Sequence, residues 1–435
     1  MSNLEIGVGG IIAVLALIAA RVPIGVALGG VSLLGIMAIR GPDVAAGVAK
    51  TTLFEFAASW SLSAVPMFLL MGAIAHHSGI SMTLFRAARL WLAALPGGLA
   101  VAANFACAAF SAASGSSLAT AAAMGRIAYP EMSRAGYDRG LSTGVIAAAG
   151  TLGSLIPPSI LMVLFGIFAE TSVSKLLIAG ILPGLLTAAV YAAMIVGRCA
   201  INPSLAPRVR EPEEKTARIR ALAEIWPVVL LIAGIIGGIY GGIFTATEAG
   251  AVGAFLSAVI AAAQRRLTWR MFRESVREAL VSAAKIFFVA LGAVLMTRFF
   301  AFSGIPHYLG GVLSSLDLSP ILLVLASSLV YLLLGMFLEP LGLLLITLPL
   351  LLPMFQALGV DMIWMGVLVI KYLEIGLLTP PVGLNVYVVK SVVGDEVPLT
   401  TIFRGVLWFL ACEVLIVALL IAFPEISLVL PSLMD

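Results

Sequence analysis

Gly153-Ser-Leu-Ile-Pro-Pro158 returns 223 residues along the chain as Gly376-Leu-Leu-Thr-Pro-Pro381. At the same offset Pro130 falls on Pro353. Ser114-Gly-Ser-Ser117 falls on Phe337-Leu-Glu-Pro340, just after Gly335. One Pro-Pro pair in an apolar run is weak evidence. Two pairs, each with a matching proline and hairpin tip in a single register, mark an internal duplication. These stretches are apolar enough for a membrane but too rich in Gly, Ser and Pro for lipid-facing helix. Backbone that leaves helical geometry at membrane depth survives only beneath protein or beside a water-filled cavity. A polar site deep in a bilayer is the first expectation.

Composition sets the class. The chain has 435 residues, 61% hydrophobic and 11% charged, whereas a soluble domain carries roughly a quarter charged residues. Arg89 and Arg126 enclose 36 uncharged residues, and Arg139 and Glu170 enclose 30. A spanning helix needs about 20. The chain therefore reads as an all-α polytopic membrane protein in contact with lipid. The net charge of +3 sits in loops, and no nucleic-acid partner is expected. Cys107, Cys199 and Cys412 have no metal or redox spacing and read as core residues. The first 20 residues lack a basic n-region, so they read as a membrane helix and not as a cleaved signal.

The run between Arg89 and Arg126 would reach about 54 Å as one helix, against a hydrocarbon core of about 30 Å. Two arms folding back at Ser114–Ser117 fit better. The predicted organisation is two repeats. Residues 1–215 hold scaffold helices, a re-entrant hairpin around 90–130 and a broken helix around 140–168. Residues 216–435 hold scaffold helices, a second hairpin around 320–356 and a second broken helix around 362–390. One basic loop carries Arg208, Arg210, Lys215 and Arg218 with Glu211, Glu213 and Glu214. A second holds Arg265, Arg266, Arg270, Arg273 and Arg277. Short basic loops stay cytoplasmic, which favours halves of inverted orientation. Inverted repeats, broken helices and a midplane site are features of secondary transporters.

Pro157 and Pro158 are expected to free the carbonyls of Gly153 and Ser154, and Pro380 and Pro381 those of Gly376 and Leu377. Free carbonyls beside Ser and Thr hydroxyls suit a hard cation such as Na⁺. Ser114, Ser116 and Ser117 would add oxygens at one tip, Gly335 and Glu339 at the other. Glu339 in an apolar setting is either functional or neutralised by a lysine or a proton. Lys371 and Glu374, three apart, could pair on one helix face. Glu248 behind Thr245 reads as a helix cap. His76 and His77 lack metal spacing.

Phe110–Thr120, Gly136-Tyr-Asp138, Gly150–Ser159, Ala179–Gly184, Thr247-Glu-Ala-Gly250 and Glu374–Gly383 together resemble the large membrane subunit of TRAP (tripartite ATP-independent periplasmic) transporters. The likeness covers essentially the whole chain. It implies a Na⁺-driven, elevator-type importer of organic acids in a bacterial inner membrane. It implies two partners: a separate small membrane subunit of four helices and a periplasmic binding protein that delivers substrate. It also implies Na⁺ sites at Ser114, Ser116, Gly153, Ile156 and Pro158, and at Gly335, Glu339, Gly376, Thr379 and Pro381. Glu339 stands where an aspartate is more usual. Ser117, Ser154 and Ser159 are the candidates for substrate contact. Sialic acids and C4-dicarboxylates would share this scaffold.

Three other functions are open, and broken helices in inverted repeats argue against one of them, a passive channel. A self-sufficient Na⁺/carboxylate symporter would share the repeat and the sites but need no binding protein. An intramembrane serine hydrolase would use Ser114 or Ser116, but no base is supplied nearby in sequence, and an unassisted serine is a weak nucleophile. No enzymatic activity is expected.

Overall fold

The computed structural model describes residues 2–207, 215–315 and 319–434. Arg208, Arg210, Glu211, Glu213 and Glu214 of the first basic loop lie outside the described residues. Among those described there are helices and turns and no strand. The chain opens with α1 (Asn3–Ala19), α2 (Ile24–Arg40), α3 (Pro42–Ala58), α4 (Ala64–His77) and α5 (Ile80–Leu92). Next come α6 (Gly98–Ser114), α7 (Ser117–Arg134), α8 (Arg139–Gly150), α9 (Ile160–Phe168), α10 (Val173–Ala179) and α11 (Ile181–Ile201). Then α12 (Lys215–Glu224), α13 (Trp226–Tyr240), α14 (Ala246–Ala263), α15 (Trp269–Ser303) and α16 (Ile305–Ser315) follow. The chain closes with α17 (Pro320–Gly335), α18 (Pro340–Ala357), α19 (Met362–Gly376), α20 (Leu384–Val393), α21 (Leu399–Ala422) and α22 (Glu425–Ser432).

Six helical segments among the described residues are long and apolar enough to cross a membrane. The segment Pro42–Ala58 joins Trp60–His77 through a bend of 55°, and this pair would make a seventh. Large side chains on the outer helices face outward: Leu34, Phe54, Phe255 and Val414 are all exposed. Apolar surface on this scale needs lipid or protein against it. The chain is a multi-pass membrane protein.

Helices α6, α8 and α19 are buried on nearly every face, as befits helices at the centre of a bundle. Small residues let them approach closely. A Cβ on Gly144 of α8 would stand 2.7 Å from the carbonyl carbon of Gly405 in α21. Helix starts are set by local chemistry. Asp138 accepts the Leu141 N–H at 2.8 Å, Ser159 accepts that of Met162 at 3.2 Å, and Asp361 accepts those of Ile363 and Trp364. Glu248 forms the capping box with Thr245, as its position suggested. All three cysteines are free and buried.

The expected breaks are present. Helices α6 and α7 pack on one another and are separated by Gly115 and Ser116. Helix α8 runs into a 3-10 turn at Thr151–Ser154 and restarts as α9 after Pro157-Pro158. In the later half α17 and α18 part before Glu339, and α19 and α20 part across Pro380-Pro381. Both Pro-Pro bonds are cis. The sequence halves interlock: Asn385 of α20 donates to the Ala147 carbonyl of α8 at 3.1 Å, and Gly125 of α7 lies against Val392 of α20.

Candidate functional site

Each broken helix touches its own hairpin break through glycine. A Cβ on Gly153 would lie 2.6 Å from both the carbonyl carbon and oxygen of Ser116. A Cβ on Gly376 would lie 2.8 Å from Gly335 Cα and 3.0 Å from its carbonyl oxygen. Only glycine permits backbone contact this close. Gly115 adds a second constraint, with φ of +62° and the Pro158 carbonyl oxygen 2.6 Å from where its Cβ would stand. A side chain there is excluded by conformation and by space.

Between the breaks lies a cavity of about 300 Å³. Gly115, Ser116 and Ser117 form one wall, Glu339 and Pro340 another, and Ser154, Glu374 and Leu377 also line it. Lys285 of α15 completes its polar lining together with Ser282. The cavity thus joins the first hairpin, both broken helices, the second hairpin and a long outer helix. Helices α7, α9 and α18 begin at its edge, at Ser117, Ile160 and Pro340. Helix amino ends favour negative charge.

The hydroxyls are organised. Ser117 Oγ lies 2.8 Å from Ser154 Oγ and donates to Glu374 Oε2 at 2.6 Å. Ser114 Oγ lies 2.7 Å from Thr120 Oγ1. Ser116 is the N-cap of α7. Ser159 is turned to backbone, donating to the Ser154 carbonyl while capping α9, and it is not on the cavity wall. Ile156 is buried under Gly184. Thr379 Oγ1 donates to the Ile375 carbonyl at 2.7 Å. Pro381 is exposed. Glu339 is the N-cap residue of α18, makes no capping bond with its side chain, and opens onto the cavity.

Two expectations need correction. The carbonyls freed by proline are mostly re-used: that of Ser154 accepts from Ser159 Oγ, that of Gly376 from the Thr379 N–H at 3.2 Å, and that of Leu377 from the Asn385 N–H at 3.1 Å. Each has accepted one hydrogen bond and keeps a second lone pair. Lys371 does not pair with Glu374. Its Nζ lies 2.7 Å from Glu413 Oε2 of α21 and donates to Thr187 Oγ1 of α11 at 3.0 Å. Tyr191 of α11 donates to Glu413 Oε1. Lys371, Glu374 and Glu413 are all buried, at 1%, 2% and 2% exposed, so the lysine is directed by its neighbours on α11 and α21. Glu374 is turned instead to Ser117 across the cavity.

Sequence reading passed over Lys285 and Glu413. Each was detectable: Lys285 is the single charge between Glu278 and Arg298, and Glu413 the single charge between Arg404 and Glu425. A neighbouring cavity of about 360 Å³ shares Ser116 and holds Ser114, His76, Arg126 and Glu278. His77 pairs with Glu278 at 2.9 Å. Among the described residues no hydrogen bond joins His76 to Ser114 or Ser116, so no nucleophile–base pair forms.

Residues 11–426 match the family described as the tripartite ATP-independent periplasmic transporter, DctM component. The chain is 38% identical over 387 residues to the C4-dicarboxylate TRAP transporter large permease protein DctM of Pseudomonas aeruginosa, covering 87% of this chain and 88% of that one. It is 33% identical over 380 residues to the sialic acid TRAP transporter large permease protein SiaM of Vibrio cholerae, covering 86% and 87%. The crystal structure of the Alcanivorax borkumensis YdaH transporter superposes with a TM-score of 0.66 at 16% identity, covering 86% of this chain and 87% of that one. That likeness is one of fold.

Proposed function

Because the chain belongs to the DctM family of TRAP transporter large permeases, which are not enzymes and work with a small membrane subunit and a periplasmic binding protein, we propose that it is the permease of a Na⁺-coupled importer of small organic acids in a bacterial inner membrane. The observation that carries this reading is the cavity of about 300 Å³ shared by both helix breaks, with Lys285 on its wall. Small-molecule sites fall in the range of about 300–1,000 Å³. Three helix amino ends and a lysine make its rim attractive to a carboxylate. Ser117 and Ser154 line the same cavity and would border a bound acid.

Na⁺ is the coupling ion in this proposal. The residues present fit it, because backbone carbonyls come close where Gly153 meets Ser116 and where Gly376 meets Gly335. Ser114, Ser116, Gly153, Ile156 and Pro158 would hold one ion; Gly335, Glu339, Gly376, Thr379 and Pro381 would hold the other. The Na⁺ gradient supplies the free energy for uptake. The duplicated breaks support inverted repeats and an elevator-like displacement of the site against the outer helices.

The test is reconstitution in liposomes with the small subunit and the binding protein. Succinate and a sialic acid are offered under an inward Na⁺ gradient. Concentrative uptake that needs the gradient and both partners is the expected result. Uptake by the chain alone would favour a self-sufficient symporter instead.

A further inference from the structure

Glu374 is 2% exposed. Its Oε2 accepts from Ser117, but its Oε1 is buried with no hydrogen-bond partner. The carboxylate lines the cavity beside Ser117 and Ser154, whose hydroxyls are 2.8 Å apart. Three side-chain oxygens therefore meet from three elements: the start of α7, the 3-10 turn after α8, and α19. The lysine one turn away cannot serve the carboxylate, since Lys371 is held by Glu413 and Thr187. Lys285, on the far helix, makes no ion pair with Glu374 within 4 Å among the described residues. Ionised, the buried group of Glu374, Lys371 and Glu413 has two negative charges against one positive. A buried carboxylate without a counter-charge is costly.

We propose that Glu374, Ser117 and Ser154 form a further Na⁺ site on the cavity wall, apart from the two backbone-built sites at the helix breaks. Hard oxygen donors suit a hard cation. A monovalent ion balances the excess charge, whereas a divalent ion would leave a buried positive one. Both serine hydroxyls can turn a lone pair to the ion by rotating their protons. The site also has a consequence for substrate. Filled, it removes the negative charge that would repel a carboxylate entering beside Lys285. Na⁺ here and organic acid in the cavity then strengthen each other's binding.

This site rests on the Na⁺-coupled reading above. The full chain, purified in choline chloride, is titrated with NaCl at constant ionic strength while its thermal unfolding midpoint is followed. A ligand that binds only the folded state raises that midpoint as it saturates. Glu374→Gln, which keeps the shape and the bond from Ser117, is expected to need about tenfold more Na⁺ for the same rise. The Hill coefficient for Na⁺ in uptake should drop by about one. Ser154→Ala should show the same direction, and it serves if Glu374→Gln does not fold. A folded Glu374→Gln or Ser154→Ala chain with the wild-type Na⁺ response overturns this site and leaves Na⁺ coupling standing. A wild-type chain indifferent to Na⁺ overturns both.

Discussion

Ser117 Oγ donates to Glu374 Oε2 at 2.6 Å, across 257 positions of the chain. The bond ties the tip of the first hairpin to the second broken helix. With Ser154 beside Ser117, the breaks of both halves meet in one hydrogen-bonded cluster. A displacement of either break is therefore felt by the other, and the cavity between them is shared property of both halves.

Lys371 and Glu413 form a second tie, between α19 and α21, enclosed by Thr187 and Tyr191 of α11. Removing one partner strands a buried charge, which costs about 3–5 kcal/mol. Lys371→Met alone should lower the thermal midpoint sharply and reduce membrane yield. Lys371→Met combined with Glu413→Leu should recover much of the loss, since a well-packed apolar pair can replace a buried ion pair. A double variant no better than the single one would mean that the pair has a role beyond charge balance. Unfolding in detergent, followed by tryptophan fluorescence, reads the difference.

Gly153 and Gly376 are close-contact positions at corresponding places in the two halves. Alanine at either would force the helix break off the hairpin by several tenths of an ångström, because the obstructing atoms are backbone. Gly153→Ala and Gly376→Ala should each cut Na⁺-driven uptake at least tenfold while the chain still inserts, since misplacement of about 1 Å in a positioned site can cost about a hundredfold. Gly47→Ala in α3 is the control, as no atom lies within 4 Å of its Cβ position. Equal uptake by all three variants would remove the close contact from the account.

Lys285 is the cation on the cavity wall. If it draws the substrate carboxylate, Lys285→Gln should raise the KM for uptake about tenfold, in line with a charge-assisted hydrogen bond worth about 1.5–3 kcal/mol. Lys285→Arg should keep part of the affinity. An unchanged KM in Lys285→Gln would assign anion recognition to the helix amino ends alone.

The breaks were legible in the sequence because their signals are local. Gly, Ser and Pro at Ser114–Ser117 and Gly153–Ser159 oppose regular helix whatever surrounds them, and the register with Gly335–Pro340 and Gly376–Pro381 repeats those signals. Partnerships were not legible. Spacing joins Lys371 to Glu374, but packing gives Lys371 to Glu413 on another helix and leaves Glu374 to Ser117. Lys285 lies in α15 downstream of Arg270, Arg273 and Arg277, which read as a basic loop but belong to the same helix. The re-use of the Ser154, Gly376 and Leu377 carbonyls depends on how the chain bends after each Pro-Pro pair, which no residue pattern states.

The central claim is that organic acid and Na⁺ cross the membrane together through the site between the two breaks. The direct measurement is simultaneous uptake of radioactive sodium and labelled succinate, or a labelled sialic acid, by vesicles holding the permease, the small subunit and the binding protein. The account predicts that sodium enters with the acid, in excess of one ion per molecule carried, and that Gly153→Ala loses both fluxes together. Accumulation of the acid with no accompanying sodium would contradict it.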